Sequence, residues 1–197
     1  MWAPRSTPAL SFSAILWSMA GPELPVLRGA RVVLRPVRED DLAPLLAMLV
    51  EDGVARWFGT WDAARVRRDL LAPQDDETVL AIEVGGAVAG MLLVGEETTP
   101  DYRHAGFDIA LAGAHQGRGI GPEAMRLAID HLIEAHGHHR FTIDPSAANE
   151  RAIRTYSGLG FKPVGIMRRY ERAPDGTWRD GLLMDLLAEE YRAPKEG

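Results

Sequence analysis

Gln116-Gly117-Arg118-Gly119-Ile120-Gly121 stands between an apolar run, Phe107-Asp108-Ile109-Ala110-Leu111, and a longer run from Pro122 to Ala135. The first reads as a buried strand ended by Gly113. The second reads as a helix, with Pro122 and Glu123 in its first turn and Met125, Leu127, Ala128, Ile129, Leu132 and Ile133 on its apolar faces. A glycine-rich turn from strand to helix exposes backbone N–H groups where the helix dipole is positive. That is a ready seat for a phosphate. The spacing is Gln-x-x-Gly-x-Gly, which is neither the Gly-x-x-x-x-Gly-Lys-Ser/Thr of NTPases nor Gly-x-Gly-x-x-Gly. A tight turn that holds no ligand is the alternative for the same glycines.

Three further residues could do chemistry. Asp108 lies inside an apolar strand, where a carboxylate must be paired, raised in pKa or facing a cleft. Arg103 or the backbone could satisfy it, and a cleft would make it a general base. Asp144 follows the strand Arg140-Phe141-Thr142-Ile143, beside the glycine-loop element, and Asp144-Pro145 is also a turn former. Tyr156 sits in the run Asn149 to Tyr156, which Asn149 caps and Gly160 stops. It lies two turns from Asn149 on nearly the same face. His136, His138 and His139 collect where the glycine-loop helix ends. Metal binding there lacks a second ligand set at the right spacing, so they read as helix C-terminal caps and no metal is expected. Arg65, Arg67 and Arg68 read as a solvated helix face.

The elements that must position these groups follow from periodicity. Arg31–Arg35 alternates as a strand. Arg38 to Asp41 leads a helix with Leu42, Leu45, Leu46 and Leu49 on one face. A second helix opens at Trp61-Asp62 and carries Val66 and Leu70. Thr78 to Val84 and Ala87 to Val94 form a hairpin around Gly85-Gly86. Lys162 to Arg169 and Gly181 to Leu187 form a final antiparallel pair, with Pro174-Asp175-Gly176 in their connection. This is an α/β chain of mixed α+β order: a mixed, mostly antiparallel sheet with helices on both faces.

With 197 residues, 46% hydrophobic and 25% charged, the chain suits one globular domain with a sizeable core. A net charge of −6 disfavours nucleic acid and is compatible with a cationic small molecule. The absence of cysteine removes disulfides and any thiolate nucleophile. Residues 1–28 read as an N-terminal extension. Its apolar run over 9–20 is too short for a membrane span and poor as a signal peptide, and Met19 is an alternative start. Residues 29–197 read as a single domain.

Gln116-x-x-Gly119-x-Gly121 and Asn149…Tyr156…Gly160-Phe161, in this order and spacing, resemble the GNAT superfamily of acetyl-CoA-dependent N-acetyltransferases over about residues 29 to 190. The resemblance implies the GNAT fold, a cytoplasmic enzyme and direct transfer from acetyl-CoA in a ternary complex, by a monomer or homodimer. It implies that Ile109, Leu111, Gln116, Gly117, Arg118, Gly119, Ile120, Gly121, Asn149, Ala152 and Tyr156 hold the cofactor. Tyr156 would protonate the leaving thiolate; a core aromatic is its other reading. Thr142 to Tyr156 and the aromatic segment Val54 to Gly59 are also similar to aminoglycoside 6′-N-acetyltransferases, which confer antibiotic resistance. That similarity implies Asp108 as the base, Asp108 and Asp144 facing the amines, and Trp57 in the substrate wall. The segment from Met167 to Asp185 is more similar to acetyltransferases of ribosomal-protein N-termini, and Asp144-Pro145…Asn149 to acyltransferases of siderophore lysines. A protein N-terminus or another small amine is therefore the alternative acceptor, and a non-catalytic acyl-CoA sensor the alternative of another class.

Overall fold

A computed structural model describes residues 24–173 and 175–192. The apolar run over 9–20, the Met19 start and Pro174 lie outside the described residues. One eight-stranded sheet organises the rest, in the order β1-β2-β3-β4-β5-β6-β8-β7. Its strands are β1 (Leu27–Arg28), β2 (Val32–Pro36), β3 (Glu77–Val84), β4 (Ala87–Glu97), β5 (His104–Leu111), β6 (Arg140–Ile143), β7 (Lys162–Arg172) and β8 (Trp178–Leu187). The helices are α1 (Leu42–Leu49), α2 (Asp52–Phe58), α3 (Ala63–Val66, running into a π turn over Arg67–Leu71), α4 (Ile120–Ala135), α5 (Glu150–Leu159) and α6 (Ala188–Arg192).

Side-chain parity on the central strands sorts the core into two layers. Leu92 and Val94 of β4 and Ala105 and Phe107 of β5 join α4 and α5 on one face. Met91 and Leu93 of β4 and Ala110 of β5 join α1, α2 and α3 on the other. α4 earns its place by burying Ile120, Ala124, Met125, Ala128, Ile129 and Leu132, a continuous stripe at helical spacing. The β3–β4 turn forms as its glycines require: Gly85 and Gly86 have φ of 60° and 83°, which a two-residue hairpin of this hand needs.

All neighbouring strands are antiparallel except β5 and β6. Those two run parallel and pair only at Ala105↔Phe141 and Gly106↔Thr142. Beyond Gly106 they part, so that side of β5 has no strand partner. Phe107 and Phe141 stack across the point of divergence, with ring centroids 5.8 Å apart and planes 18° apart.

The structure corrects several expectations. α2 is a helix the periodicity did not reveal, so the helix opening near Trp61-Asp62 is the third. β4, β5 and β7 are longer than expected, and β5 begins at His104. Arg65 is not solvated. Its guanidinium lies 4.0 Å from the Trp61 ring centroid and bonds Asp69 and the Thr60 carbonyl. Arg103 does not pair with Asp108 but donates to the His136 carbonyl at 2.9 Å. His136 is the C-cap residue of α4, as expected, but its ring and that of His138 both bond Glu96.

Phe141 is fully buried at the divergence, so Phe141→Ala removes a ring that no neighbour can replace. Urea unfolding should show a loss of about 3–5 kcal/mol, the usual range for truncating a buried aromatic. A loss below about 1 kcal/mol would show that the stack does not brace the two strands.

Candidate active site

The parting of β5 and β6 opens a cleft of about 360 Å3 that passes from one face of the sheet to the other. Its lining brings together residues scattered over the sequence: Trp57 from α2, Asp108, Ile109 and Leu111 from β5, the glycine loop, Asp144, Asn149, and Ala152 and Tyr156 from α5. Every residue expected at the site lines this cleft except Arg118. The Arg118 carbonyl instead accepts a 2.8 Å hydrogen bond from Arg31 Nη1, on the outside of the loop.

The loop is shaped by backbone demands. Gly117 and Gly119 have φ of 71° and 76°, a region that favours glycine. Gly119 is the residue at which α4 begins. Gln116 is fixed from within, its Nε2 donating to the Leu111 carbonyl at 2.7 Å and tying the loop to the end of β5. Gly121 lets α4 approach β5: a Cβ there would lie 3.4 Å from a Leu111 methyl and 3.7 Å from an Ile109 methyl. Arg31 and Glu123 pair at 2.8 Å and lock the start of β2 to the first turn of α4. The amides at this helix start form a fitting seat for a pyrophosphate.

Across the cleft, Asn149 Oδ1 accepts from the Ala152 amide at 3.2 Å and starts α5. Gly160 ends it with φ 111°. Tyr156 is buried between them, edge-on to Phe161. Asp108 pairs in register with Leu93, on the face covered by α1 to α3. Tyr156 belongs to the opposite layer. Only the gap between the strands lets these two groups interact.

The electrostatics are those of crowded acids. Burial, reinforced by Asp144, Glu171 and Glu77, pushes the Asp108 pKa up to about 8. Burial also lifts Asp144, to about 6; Glu171 adds to the rise and a hydrogen bond from Tyr170 opposes it. Glu171 is raised by burial, against the Ser146 hydroxyl and Arg179. Tyr156 is raised by burial and then by Asp108 and Asp144, so it keeps its proton throughout the physiological range.

Glu171 was not anticipated. It lines the cleft, and its Oε1 is buried without a hydrogen-bond partner among the described residues. An irregularity delivers it. Between Met167 and Glu171, three residues of β7 face the single Asp180 of β8, and Arg169 takes φ 50°. Trp57, on the opposite wall, carries the Arg56 guanidinium 4.5 Å and the Arg179 guanidinium 5.9 Å from its ring centroid. Arg179 Nη1 also donates to the Arg56 carbonyl at 2.7 Å, joining β8 to α2.

A strand-to-helix glycine loop, a parted parallel strand pair and facing acids define an acyl-group transferase of the acetyl-CoA-binding kind. Residues 31–162 match the acetyltransferase (GNAT) domain family, and the chain belongs to that family. It is an acetyl-CoA-dependent N-acetyltransferase. It is 27% identical over 167 residues to the spermidine N(1)-acetyltransferase of Escherichia coli K12, covering 82% of this chain and 89% of that protein. It is 30% identical over 164 residues to the aminoglycoside N(6′)-acetyltransferase type 1 of Klebsiella pneumoniae, covering 74% and 79%. Mycobacterium smegmatis RimJ in complex with CoA-disulfide superposes with a TM-score of 0.71 at 26% identity, covering 82% of this chain and 84% of that one. Among the described residues no helix is long and apolar enough to cross a membrane.

A raised carboxylate pKa has a consequence for stability. Folded Asp108 holds its proton to about pH 8, whereas the unfolded group releases it near its ordinary 3.8. The fold is therefore undisturbed by Asp108 below about pH 4 and progressively weakened as pH rises towards 8. Asp108→Asn removes that charge. Its melting temperature should match wild type near pH 4 and exceed it by several degrees at pH 9. An equal or lower value at pH 9 would contradict the burial of this charge.

Proposed function

We propose that residues 29–197, together with β1 and the buried Leu24 that precede them and join the same sheet and core, form a single cytoplasmic catalytic domain that acetylates a primary amine of a small polycationic acceptor, an aminoglycoside-type amino sugar (its 6′-amine) in the first instance. The observation that carries this reading is the convergence of Asp108, Asp144 and Glu171 on one cleft, each raised in pKa by burial. Crowded carboxylates are relieved by cations, and several at once fit an acceptor with several ammonium groups. The aromatic wall of Trp57 and Phe58 suits a ring more than a linear chain.

In this reading the amides around Gly117 to Gly121 hold the pyrophosphate, and Ile109, Leu111, Asn149 and Ala152 line the path of the pantetheine arm. Bound acetyl-CoA supplies the thioester carbonyl. Asp108 accepts a proton from the acceptor amine as the nitrogen–carbon bond forms. Tyr156 gives its proton to the sulfur as the carbon–sulfur bond breaks. Asp144 and Glu171 hold further ammonium groups. A pKa of about 8 places Asp108 near the operating pH, where a base is most effective.

Acetylation of a peptide α-amine is the second reading, favoured by the exposed Arg168, Arg169 and Arg172 of β7, which would suit an acidic peptide. Thiol release measured with kanamycin-class amines, spermidine and N-terminal alanine or serine peptides separates the readings. Turnover with the peptides alone would overturn the amino-sugar proposal.

Tyr156→Phe should lower kcat about a hundred-fold, the scale of one lost proton transfer, with acetyl-CoA binding little changed. Wild-type kcat/KM should climb with pH and level off near pH 8, because the base must be ionised to act. Asp108→Asn should abolish that limb. Undiminished turnover in either variant would return the residue to a packing role.

Glu171→Gln should raise KM for a polycationic acceptor several-fold and leave a monoamine's KM unchanged. In wild type, higher salt should raise the polycation's KM, since ammonium–carboxylate contacts are screened. Equal effects on mono- and polyamines would remove Glu171 from the acceptor site.

Gly119→Asp would force φ of 76° on a residue with a Cβ and set a carboxylate at the start of α4. Calorimetry should then show acetyl-CoA affinity reduced about ten-fold or more, the scale of losing a favourable helix-terminus charge contact together with loop geometry. Unchanged affinity would place the pyrophosphate elsewhere.

A further inference from the structure

The other end of α4 holds a second group of chemically capable side chains. After Ala135 the chain reverses at Gly137, whose φ is 69°. That turn directs His136 and His138 to the same side, where both meet Glu96 near the end of β4. His136 Nδ1 and His138 Nε2 lie 2.7 and 2.6 Å from the same carboxylate oxygen, Oε2. The three side chains are 7%, 1% and 4% exposed, in the order His136, His138, Glu96. Among the described residues, the only ion-pair partners of this buried carboxylate are the two imidazoles. Arg103 braces the turn through the His136 carbonyl, and His131 packs edge-on to the His136 ring at 5.2 Å.

We infer that Glu96, His136 and His138 form a binding site for a divalent metal ion of the zinc class. One ligand atom from each residue lies within 4.8 Å of the others. Glu96 Oε2 stands between the two nitrogens. A small carboxylate rotation opens that position to an ion at about 2.0–2.2 Å from two nitrogens and an oxygen, with water as the fourth ligand. Two imidazoles and one carboxylate favour a borderline ion. Calcium and magnesium prefer all-oxygen sets, and the softest ions prefer sulfur. The role is structural. α4 has 16 residues, so this site lies about 24 Å along the helix from the glycine loop. An ion here pins the end of β4 to the connection between α4 and β6.

The test uses the full chain without a polyhistidine tag, stripped by chelator and then titrated with zinc by calorimetry and with cobalt(II) by visible absorption. The expected result is one zinc per chain, an intense four-coordinate cobalt spectrum, and a melting temperature raised several degrees by stoichiometric zinc. His136→Ala, at the more accessible edge, should weaken zinc binding at least ten-fold and remove the cobalt spectrum. Glu96→Gln should do the same while keeping a hydrogen-bonding group for the imidazoles. Absence of saturable binding in wild type overturns the assignment. So does binding that both variants retain, which would locate the ion elsewhere. If a variant fails to fold, a weak, six-coordinate cobalt spectrum in wild type overturns it independently.

Discussion

The site depends on a ladder that stops early. β5 is paired with β4 along its whole length but with β6 at only two positions. A ladder continued past Gly106 would seal the sheet and separate Asp108 from Tyr156 by a full layer. The divergence instead leaves one side of β5 open along the stretch leading to the glycine loop. It also turns Phe107 and Phe141 into a wedge, because the space opened at the fork must be filled by apolar surface if the strands are not to collapse together. The loop follows from the same geometry. β5 must hand its end to α4 at close range, and Gly121 permits that approach while Gln116 and Arg31 fix it from either side.

What could be read from the sequence is what the backbone alone enforces. The loop glycines were legible because two of them occupy positive φ, a demand few other residues meet. α5 was legible because the residues flanking it, Asn149 and Gly160, are a side-chain cap and a left-handed glycine. Asp108 stood out because a carboxylate in an apolar strand needs a reason. α2 was not legible: it is seven residues long, contains Gly53 and buries only Val54, too little for a helical period to register. Glu171 was hidden for a different reason. Its aim depends on an irregularity opposite Asp180, and nothing in the alternation of β7 announces it. Glu96 was hidden as well, since it lies next to the end of a strand that is buried on both faces and meets His136 only across forty residues of chain.

Crowding acids in a cleft works against folding, since each carboxylate must be desolvated near others of the same sign. The structure accepts this in the cleft but not at every buried carboxylate. Asp41, for comparison, is buried with Arg35 in a two-point pair at 2.7 and 2.9 Å, which holds its carboxyl below the usual range. Arg179 comes near Glu171, but its Nη1 is engaged by the Arg56 carbonyl. Among the described residues the cleft acids are short of compensating charge, since neither Arg179 nor Arg151, which lines the cleft, offsets their burial.

That shortage ties acceptor binding to base strength under the proposed roles. Below about pH 8 Asp108 holds its proton because burial and the neighbouring carboxylates make its charge unfavourable. An acceptor carrying several ammonium groups reverses the balance. Ammonium groups on Asp144 and Glu171 cancel the repulsion, and the Asp108 pKa falls as the cleft fills. The carboxylate is then produced where an amine waits to be deprotonated, whereas water or a neutral amine leaves it protonated. Tyr156 responds to the same field, because Asp108 and Asp144 are the charges that help raise its pKa. Pairing Asp144 with an ammonium group, and protonation of Asp108 by the reacting amine, weaken that field and make the Tyr156 proton easier to give to the departing sulfur. Under the proposed roles, one group of repelling acids selects a polycation by charge, and the charge it selects prepares both the base and the acid.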